Sequence, residues 1–143
     1  MRPTFKSMLC AIFALAVVGS VYGNEAELSD VAQLKWKYRV VIINSPEPEK
    51  YAEKVLGSVQ QGLADRDIAW FIINDSDGIK TNYQGAISAN FVQNTRSKYL
   101  NSDVFVTLVG KDGGIKVQSE EMNLIALFET IDAMPMRQQE MHR

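Results

Sequence analysis

The sequence predicts a single α/β domain built on a mixed sheet of four strands, with helices on both faces. Three observations lead to this class. Two short apolar runs, Val40–Ile43 and Ile68–Ile73, are separated by a segment with helical periodicity. A strand-turn-strand pattern then extends from Val104 to Gln118, and an amphipathic helical pattern follows it. Strand, helix, strand indicates a parallel pair with a right-handed crossover, and the hairpin adds an antiparallel pair, so the order is βαβ followed by ββα.

The chain begins with a pattern typical of a secretory signal peptide. Basic residues precede an apolar run from Met8 to Val18, small residues follow it, and Val21–Gly23 is the expected cleavage site. The predicted organisation is therefore a signal peptide, 1–23, and a single domain with a C-terminal tail, 24–143. We expect export, either to a periplasm or as a secreted protein, and no membrane span after cleavage, because the apolar run is short.

Removal of this leader changes the chemistry that the chain can perform. The chain of 143 residues has a net charge of −2, and the loss of Arg2 and Lys6 makes it more negative. Nucleic acids and anionic membranes are therefore not the expected partners. The only cysteine, Cys10, lies in the leader. The mature chain is thus expected to be cysteine-free, without a disulfide, a thiolate nucleophile or a cysteine metal ligand.

The first core strand is predicted at Val40–Ile43, which has no polar residue. It follows a basic and aromatic segment, Lys35–Arg39. We favour a solvent-exposed segment that leads into the strand over a patch that binds nucleic acid or lipid, because the overall charge is negative. After a break with two prolines, a helix is predicted to extend to about Asp65. Its apolar stripe has a spacing of four: Tyr51, Val55, Val59 and Leu63.

The second strand, Ile68–Ile73, ends at a cluster of turn residues, Asn74–Gly78. The cluster resembles a calcium loop in composition, but the required spacing fails, because the twelfth ligand position falls on Gln84. A weaker helix is predicted from Ile87 to about Tyr99.

The hairpin begins with the apolar run Val104–Val109 and turns at Asp112-Gly113, which predicts a type I′ turn with a bulge beside it. An anion-cradling loop is the alternative, but such a loop leads into a helix and this one leads into a strand. The candidate binding residues of this turn are Lys111, Asp112 and Lys116, and its structural residues are Gly113 and Gly114.

The last helix is predicted to begin after an N-cap at Ser119 and to end before Pro135, with a polar tail beyond it. Asp132, Arg137 and Glu140 are candidates to pair and hold this tail against the domain. The methionines of this region, Met134, Met136 and Met141, have two interpretations: apolar packing of the tail, which we favour, or a Cu(I) site.

Placing the most apolar strands at the centre puts Val40–Ile43 beside Val104–Val109, which is the thioredoxin arrangement. In that fold, chemistry occurs after the first strand, where a Cys-x-x-Cys motif is activated by a helix N-terminus. This chain has no cysteine there, and the facing loop at 101–103 has no proline. Both halves of a redox site are therefore missing. The residues of the candidate groove at this place are Ser45, Glu47, Glu49, Asn101 and Ser102.

Four segments carry a resemblance to a known family: Trp36–Arg39, Leu63–Asp67, Gly110–Lys116 and Ile131–Met141. Over nearly all of its mature part, the chain resembles the thioredoxin-like extracellular domain of unknown function (DUF4174), found in sushi-repeat-containing secreted proteins and in small exported bacterial proteins. The resemblance implies a thioredoxin-like module without established catalytic residues. Asp132, Pro135 and Arg137 fall in its most specific segment. The chain has no sushi repeat, so the partners of the larger proteins do not transfer to it.

These observations predict an exported, non-catalytic binding module whose partner is an unknown protein or small ligand outside the cytoplasm. No cofactor and no metal are expected. The alternative is an enzyme that uses carboxylates such as Glu47 and Glu49, although acids are also favoured at helix N-termini for structural reasons. Thiol-disulfide exchange is excluded once Cys10 is removed. The only histidine, His142, is next to the last residue, which is a poor position for a catalytic triad or a metal site.

Overall fold

The computed structural model describes residues 26–45, 50–75 and 78–143. The strands within these residues are β1 (Arg39–Asn44), β2 (Ile68–Ile73), β3 (Ile79–Thr81), β4 (Val106–Val109) and β5 (Ile115–Ser119). They form one sheet in the order β3-β2-β1-β4-β5. The predicted leader, 1–23, lies outside the described residues.

The pairing confirms the predicted centre of the sheet. β1 and β2 are parallel, with Arg39 opposite Ile68 and Asn44 opposite Ile73. β4 is antiparallel to β1 on its other side, and β5 is antiparallel to β4. The prediction of four strands is wrong, because β3 adds an antiparallel fifth strand at the outer side of β2.

The helices are α1 (Lys50–Ser58), α2 (Gln60–Ala64), α3 (Phe91–Tyr99), α4 (Leu124–Asp132) and α5 (Pro135–Met141), and a 3₁₀ turn, Val31–Leu34, precedes β1. The helix predicted to reach Asp65 is divided in two at Val59, whose φ of −120° is not helical. The N-cap of α4 is Asn123, and the predicted cap, Ser119, ends β5 instead. The predicted polar tail is also corrected, because most of it is the helix α5.

The core has two layers, one on each face of the sheet, because successive residues of a strand point to opposite faces. On one face, α3 and the 3₁₀ turn pack against alternate residues of β1 and β2 such as Val40 and Phe71. On the other face, α1, α2 and α4 pack against the intervening residues such as Val41 and Ile72. Helices therefore cover both faces, as predicted, and this explains why β1 contains no exposed position.

The turn between β4 and β5 differs in detail from the prediction. A type I′ turn needs positive φ at both central residues, but Gly113 has a φ of 82° and Asp112 is not in that region. Gly113 is close-packed as well, since an added Cβ would lie 3.0 Å from the side chain of Lys35. The predicted bulge is present, as the register shifts between Leu108 and Val109.

The outer side of β2 is completed by a side chain. β3 pairs only with Phe71–Ile73, and beyond it the Asn82 amide occupies the place of a further strand residue. Asn82 Oδ1 accepts from Trp70 N at 2.8 Å, and Asn82 Nδ2 donates to Ile68 O at 2.9 Å. None of the helices formed by the described residues has the length and apolar character that crossing a membrane requires.

Candidate functional site

The predicted groove lies at the end of the sheet where β1 and β2 finish, which we call the carboxyl edge (Ser45, Asp75 and Asn101–Phe105). Ser45 follows β1 and is buried. Its N–H donates to Ile73 O at 2.9 Å, and Asn44 N donates to Phe105 O at 2.8 Å. The end of β1 is therefore bonded to both neighbouring segments, and Ser45 is buried at the carboxyl edge.

The second part of the predicted groove is a polar turn that leads into β4. Asn101 and Ser102 are exposed. Asp103 N donates to Asn101 Oδ1 at 3.1 Å, and the Ser102 hydroxyl donates to Asp103 Oδ1 at 3.1 Å. The bond between Asn44 and Phe105 places this turn at the same edge as Ser45. Glu47 and Glu49, the remaining predicted residues of the groove, lie outside the described residues.

The carboxyl edge also contains an ion pair that the sequence analysis missed. Arg96 of α3 donates to Asp75 Oδ1 at 2.6 Å, joining that helix to the loop after β2. The Asp75 side chain is 71% exposed, so the pair is open to solvent and contributes little stability. The only sequence signal was the cluster Asn74–Gly78, which we interpreted as a turn without assigning it a partner.

The predicted binding residues of the hairpin turn are divided between two environments. Lys116 Nζ donates to Asp112 Oδ2 at 2.7 Å, and Gly114 N donates to Asp112 Oδ1 at 3.0 Å. The hydrogen bond from Lys116 and then that from Gly114 hold the pKa of Asp112 below its usual value. Lys111 instead points inward and is about 10% exposed. Asp112 and Lys116 therefore pair with each other at the surface of the turn, whereas Lys111 points away from them.

Lys111 belongs to a cluster of charges at the opposite end of the sheet, where β1 begins. We call this cluster the amino-edge network: Arg39, Arg66, Asp67, Lys111, Asp132, Arg137 and Glu140. Lys111 Nζ donates to Asp67 Oδ2 and to Glu140 Oε1, both at 2.7 Å. Arg39, which is 1% exposed, donates to the two Glu140 oxygens at 3.1 and 3.3 Å. Glu140 is thus a bridge between β1 and the hairpin turn.

The electrostatics of Glu140 follow from this geometry. Burial acts to raise the pKa of its carboxyl group, because a charge is poorly solvated there. The hydrogen bonds from Lys111 and Arg39, together with their positive charges, outweigh burial and hold the pKa below its usual value. The carboxylate is therefore the stable form at neutral pH.

The second half of the amino-edge network is centred on Asp132. Arg66 donates to both Asp132 oxygens at 3.0 and 2.6 Å, and Arg137 Nε donates to Oδ1 at 3.3 Å. Arg137 also reaches Glu140 Oε2 at 3.7 Å. The expectation that Asp132, Arg137 and Glu140 pair with one another is thus confirmed, but the shortest contacts of the two acids are with segments distant in sequence.

The four segments that carried the family resemblance meet at the amino-edge network. Arg39, Arg66, Lys111 and Asp132 come one from each segment. Pro135 is the first residue of α5, where its missing N–H costs no hydrogen bond. Three of the predicted structural residues, Asp132, Pro135 and Arg137, therefore lie where α5 is attached to the start of the sheet.

A cleft along the outer side of β2 was not predicted from the sequence. It has a volume of about 590 Å³ and lies between the segment around Leu34 and the loop after β3. The Tyr38 and Tyr83 rings face it, 6.4 Å apart and at 89° to each other. Its polar groups are Lys37 and the carboxamides Gln33, Asn82 and Gln84. The aromatic residue at Tyr38 was noticed in the sequence, but nothing there indicated the loop that faces it.

In the described part of the chain, no group of three or more His, Cys, Asp or Glu side chains is arranged to hold a metal ion. The carboxylates with lowered pKa values at the amino-edge network face arginine and lysine, so they act as counter-ions rather than as proton acceptors.

Comparison with known proteins gives one family. A family model described as "Domain of unknown function (DUF4174)" matches residues 30–140. No curated protein and no solved structure matches the chain. The matched span contains the whole sheet and every member of the amino-edge network.

Proposed function

We propose, from the premise that this chain belongs to the DUF4174 family, that it is an exported binding module with a thioredoxin-like fold and no catalytic activity of its own. The family match over residues 30–140 supplies the premise. The binding partner is a protein or small ligand outside the cytoplasm, and it contacts the groove at the carboxyl edge.

The observation that carries this proposal is the position of Ser45 in the sheet. The order β2-β1-β4-β5, with a parallel first pair and antiparallel last strands, supports the proposed thioredoxin-like arrangement. In open α/β sheets, ligands bind outside the carboxyl ends of the strands, where connections leave toward opposite faces. Here α1 follows β1 on one face, while α3 precedes β4 on the other. Ser45 directly follows β1 at this edge, which supports the proposed groove there.

Loss of the thiol supports binding over redox catalysis. Cys10 is the only cysteine of the chain, and it precedes the domain. The resemblance to a domain of sushi-repeat-containing secreted proteins also supports a role in binding outside the cytoplasm. A carboxylate enzyme is the competing proposal, and it assigns Glu47 or Glu49 a proton-transfer role instead of a contact role.

The export part is tested by intact mass spectrometry of the protein recovered from outside the cytoplasm. A chain that begins at Asn24 supports the proposal. A product that retains Cys10 contradicts it, and it also restores the possibility of thiol chemistry. The mature protein is then expected not to catalyse reduction of insulin by a dithiol.

The binding part is tested by cross-linking and co-purification of the mature protein from its own compartment. The double variant Glu47→Lys and Glu49→Lys reverses the charge beside Ser45. Glu27→Lys with Glu129→Lys makes the same change in charge at exposed positions and serves as the matched control. Loss of a specific partner only in the first variant supports the groove. The same partners in wild type and both variants exclude it.

A further inference from the structure

Arg39 is an unusual residue for the start of a core strand. Its side chain is 1% exposed, although a buried charge is costly unless it is paired and hydrogen-bonded. NH1 donates to Arg66 O at 2.9 Å, and NH1 and NH2 both donate to Glu140. Nε is buried and has no hydrogen-bond partner among the described residues. Arg39 is therefore paired with one carboxylate and one carbonyl, and its Nε donor is left unused among the described residues.

More than one positive charge converges on that carboxylate. Lys111 Nζ lies 2.7 Å from Glu140 Oε1, and Arg137 NH1 lies 3.7 Å from Oε2. Asp67, which is 52% exposed, also accepts from Lys111. Without the Glu140 carboxylate, Arg39 and Lys111 would face each other across a partly buried space with an excess of positive charge. Such a space suits an oxyanion with several acceptor atoms.

The carboxylate that fills this space comes from a weakly anchored element. None of the seven residues of α5 is buried. Polar contacts attach it: the Glu140 bonds, Arg137 NH1 to Asp65 O at 2.6 Å, and Gln138 Nε2 to Asp132 O. A segment that buries no apolar residue has little hydrophobic reason to stay in place. Glu140 is therefore held in the pocket mainly by the charges it neutralises.

We propose that Arg39 and Lys111 form an oxyanion-binding pocket at the amino edge of the sheet, and that Glu140 occupies it as an internal, displaceable ligand. The external ligand is a small molecule with a phosphate or a carboxylate group, since both present paired oxygens to a guanidinium fork. Displacement of Glu140 releases the end of α5. This pocket lies at the opposite end of the sheet from the groove proposed above and does not depend on it.

The test measures thermal unfolding of the mature protein carrying Glu140→Ala, with inorganic phosphate or acetate titrated at pH 7. Ionic strength is held constant with chloride. We expect phosphate or acetate to raise Tm by about 5 °C or more with saturation, because a ligand that binds only the folded state stabilises it. Wild type responds less, since its own Glu140 competes. A stronger response to phosphate identifies a phosphoryl ligand, and a stronger response to acetate identifies a carboxylate ligand.

Two controls separate a specific site from a general salt effect. Glu129→Ala removes an exposed glutamate from α4, and its response must match that of wild type. Adding Lys111→Ala to Glu140→Ala must abolish the extra response. If Glu140→Ala unfolds in chloride, recovery of the folded state in phosphate or acetate supports the pocket. The proposal is overturned if the variant stays unfolded with either anion, or if it folds and responds no more than Glu129→Ala.

Discussion

Arg66 and Asp132 form a two-point ion pair between segments 66 residues apart: Nε donates to Oδ1 at 3.0 Å and NH2 to Oδ2 at 2.6 Å. The Arg66 guanidinium also lies 4.2 Å from the centre of the Phe128 ring and donates to Gly62 O at 2.9 Å. One side chain thus connects α2, the end of α4 and an aromatic ring between them. This pair joins the end of α4 to the segment that precedes β2.

Replacing Asp132 tests the contribution of this pair to stability. Asp132→Asn keeps the shape of the side chain but turns an amide donor toward Arg66. We expect a loss of about 2 kcal/mol, because hydrogen bonds to charged groups are stronger than neutral ones. Urea unfolding monitored by circular dichroism measures it. Glu129→Gln makes the same chemical change on the exposed side of α4 and should leave the free energy of unfolding within about 0.5 kcal/mol.

The same residue predicts how stability depends on pH. Hydrogen bonds from Arg66, opposed by burial and helped by Arg137, hold the pKa of Asp132 below its usual value. A lowered folded-state pKa means that the unfolded chain binds protons more readily, so the stabilisation is complete above the unfolded-state pKa of about 4. This stabilisation is lost as the pH falls from about 4 through the lower pKa of the folded state.

Urea unfolding at a series of pH values from 7 to 3 checks this dependence. Wild type should lose stability below about pH 4, and Asp132→Asn should lose less over the same interval. Part of the slope remains in the variant, since Asp112 and Glu140 also have lowered pKa values. Equal slopes in wild type and Asp132→Asn would contradict the assignment.

At position 36, now Trp36, we expect glycine to be more stable than alanine, which reverses the usual order. Its φ is 67°, a left-handed conformation that is costly for a bulky residue, and its N–H donates to Lys111 O at 2.7 Å. The ring is 64% exposed, so its removal costs little burial. We expect Trp36→Gly to be more stable than Trp36→Ala by about 1 kcal/mol, because alanine keeps the backbone strain.

Lys37 provides the control for this comparison. It is exposed and does not have a positive φ. There the usual order should hold, with Lys37→Ala more stable than Lys37→Gly by about 0.5 kcal/mol, since glycine has the greater unfolded-state entropy. The same order at both positions would show that the backbone at Trp36 is not strained.

Replacement by alanine is expected to affect stability differently at two helical glycines. Around Gly57 of α1, no described atom would lie within 4 Å of an added Cβ. Gly57→Ala should therefore raise stability by about 0.5–1 kcal/mol. At Gly62 of α2, the Cβ would lie 3.0 Å from the Phe128 ring, which also contacts Arg66. Gly62→Ala should gain nothing or lose about 1 kcal/mol, because the ring must move. Thermal unfolding of both variants decides the comparison.

The centre of the fold was predictable because its signals are local. Val40–Ile43 and Ile68–Ile73 are continuous apolar runs, and burial on both faces leaves no polar position in either run. β3 was missed because three residues, Ile-Lys-Thr, are too few to establish an alternating pattern. Its pairing also depends on β2 rather than on its own sequence.

α5 and the amino-edge network were less predictable for a different reason. A helix that buries no residue has no apolar stripe, so its sequence is indistinguishable from that of a polar tail. Its partners Arg39 and Lys111 lie in other segments, and charge patterns carry no information about contacts over such separations. The candidate groove stays a prediction: the order of strands determines where β1 ends, but Glu47 and Glu49 lie outside the described residues.

The carboxamide of Asn82 has a consequence for contacts between molecules. A strand from a second copy that approached Ile68–Trp70 would find the donor of Trp70 and the acceptor of Ile68 already occupied. Intermolecular growth of the sheet, a common route to aggregation, is therefore opposed at this border by one side chain. Deamidation of Asn82 during storage would replace its amide donor with a second oxygen. Ile68 O would then lose its hydrogen bond and become available to another strand.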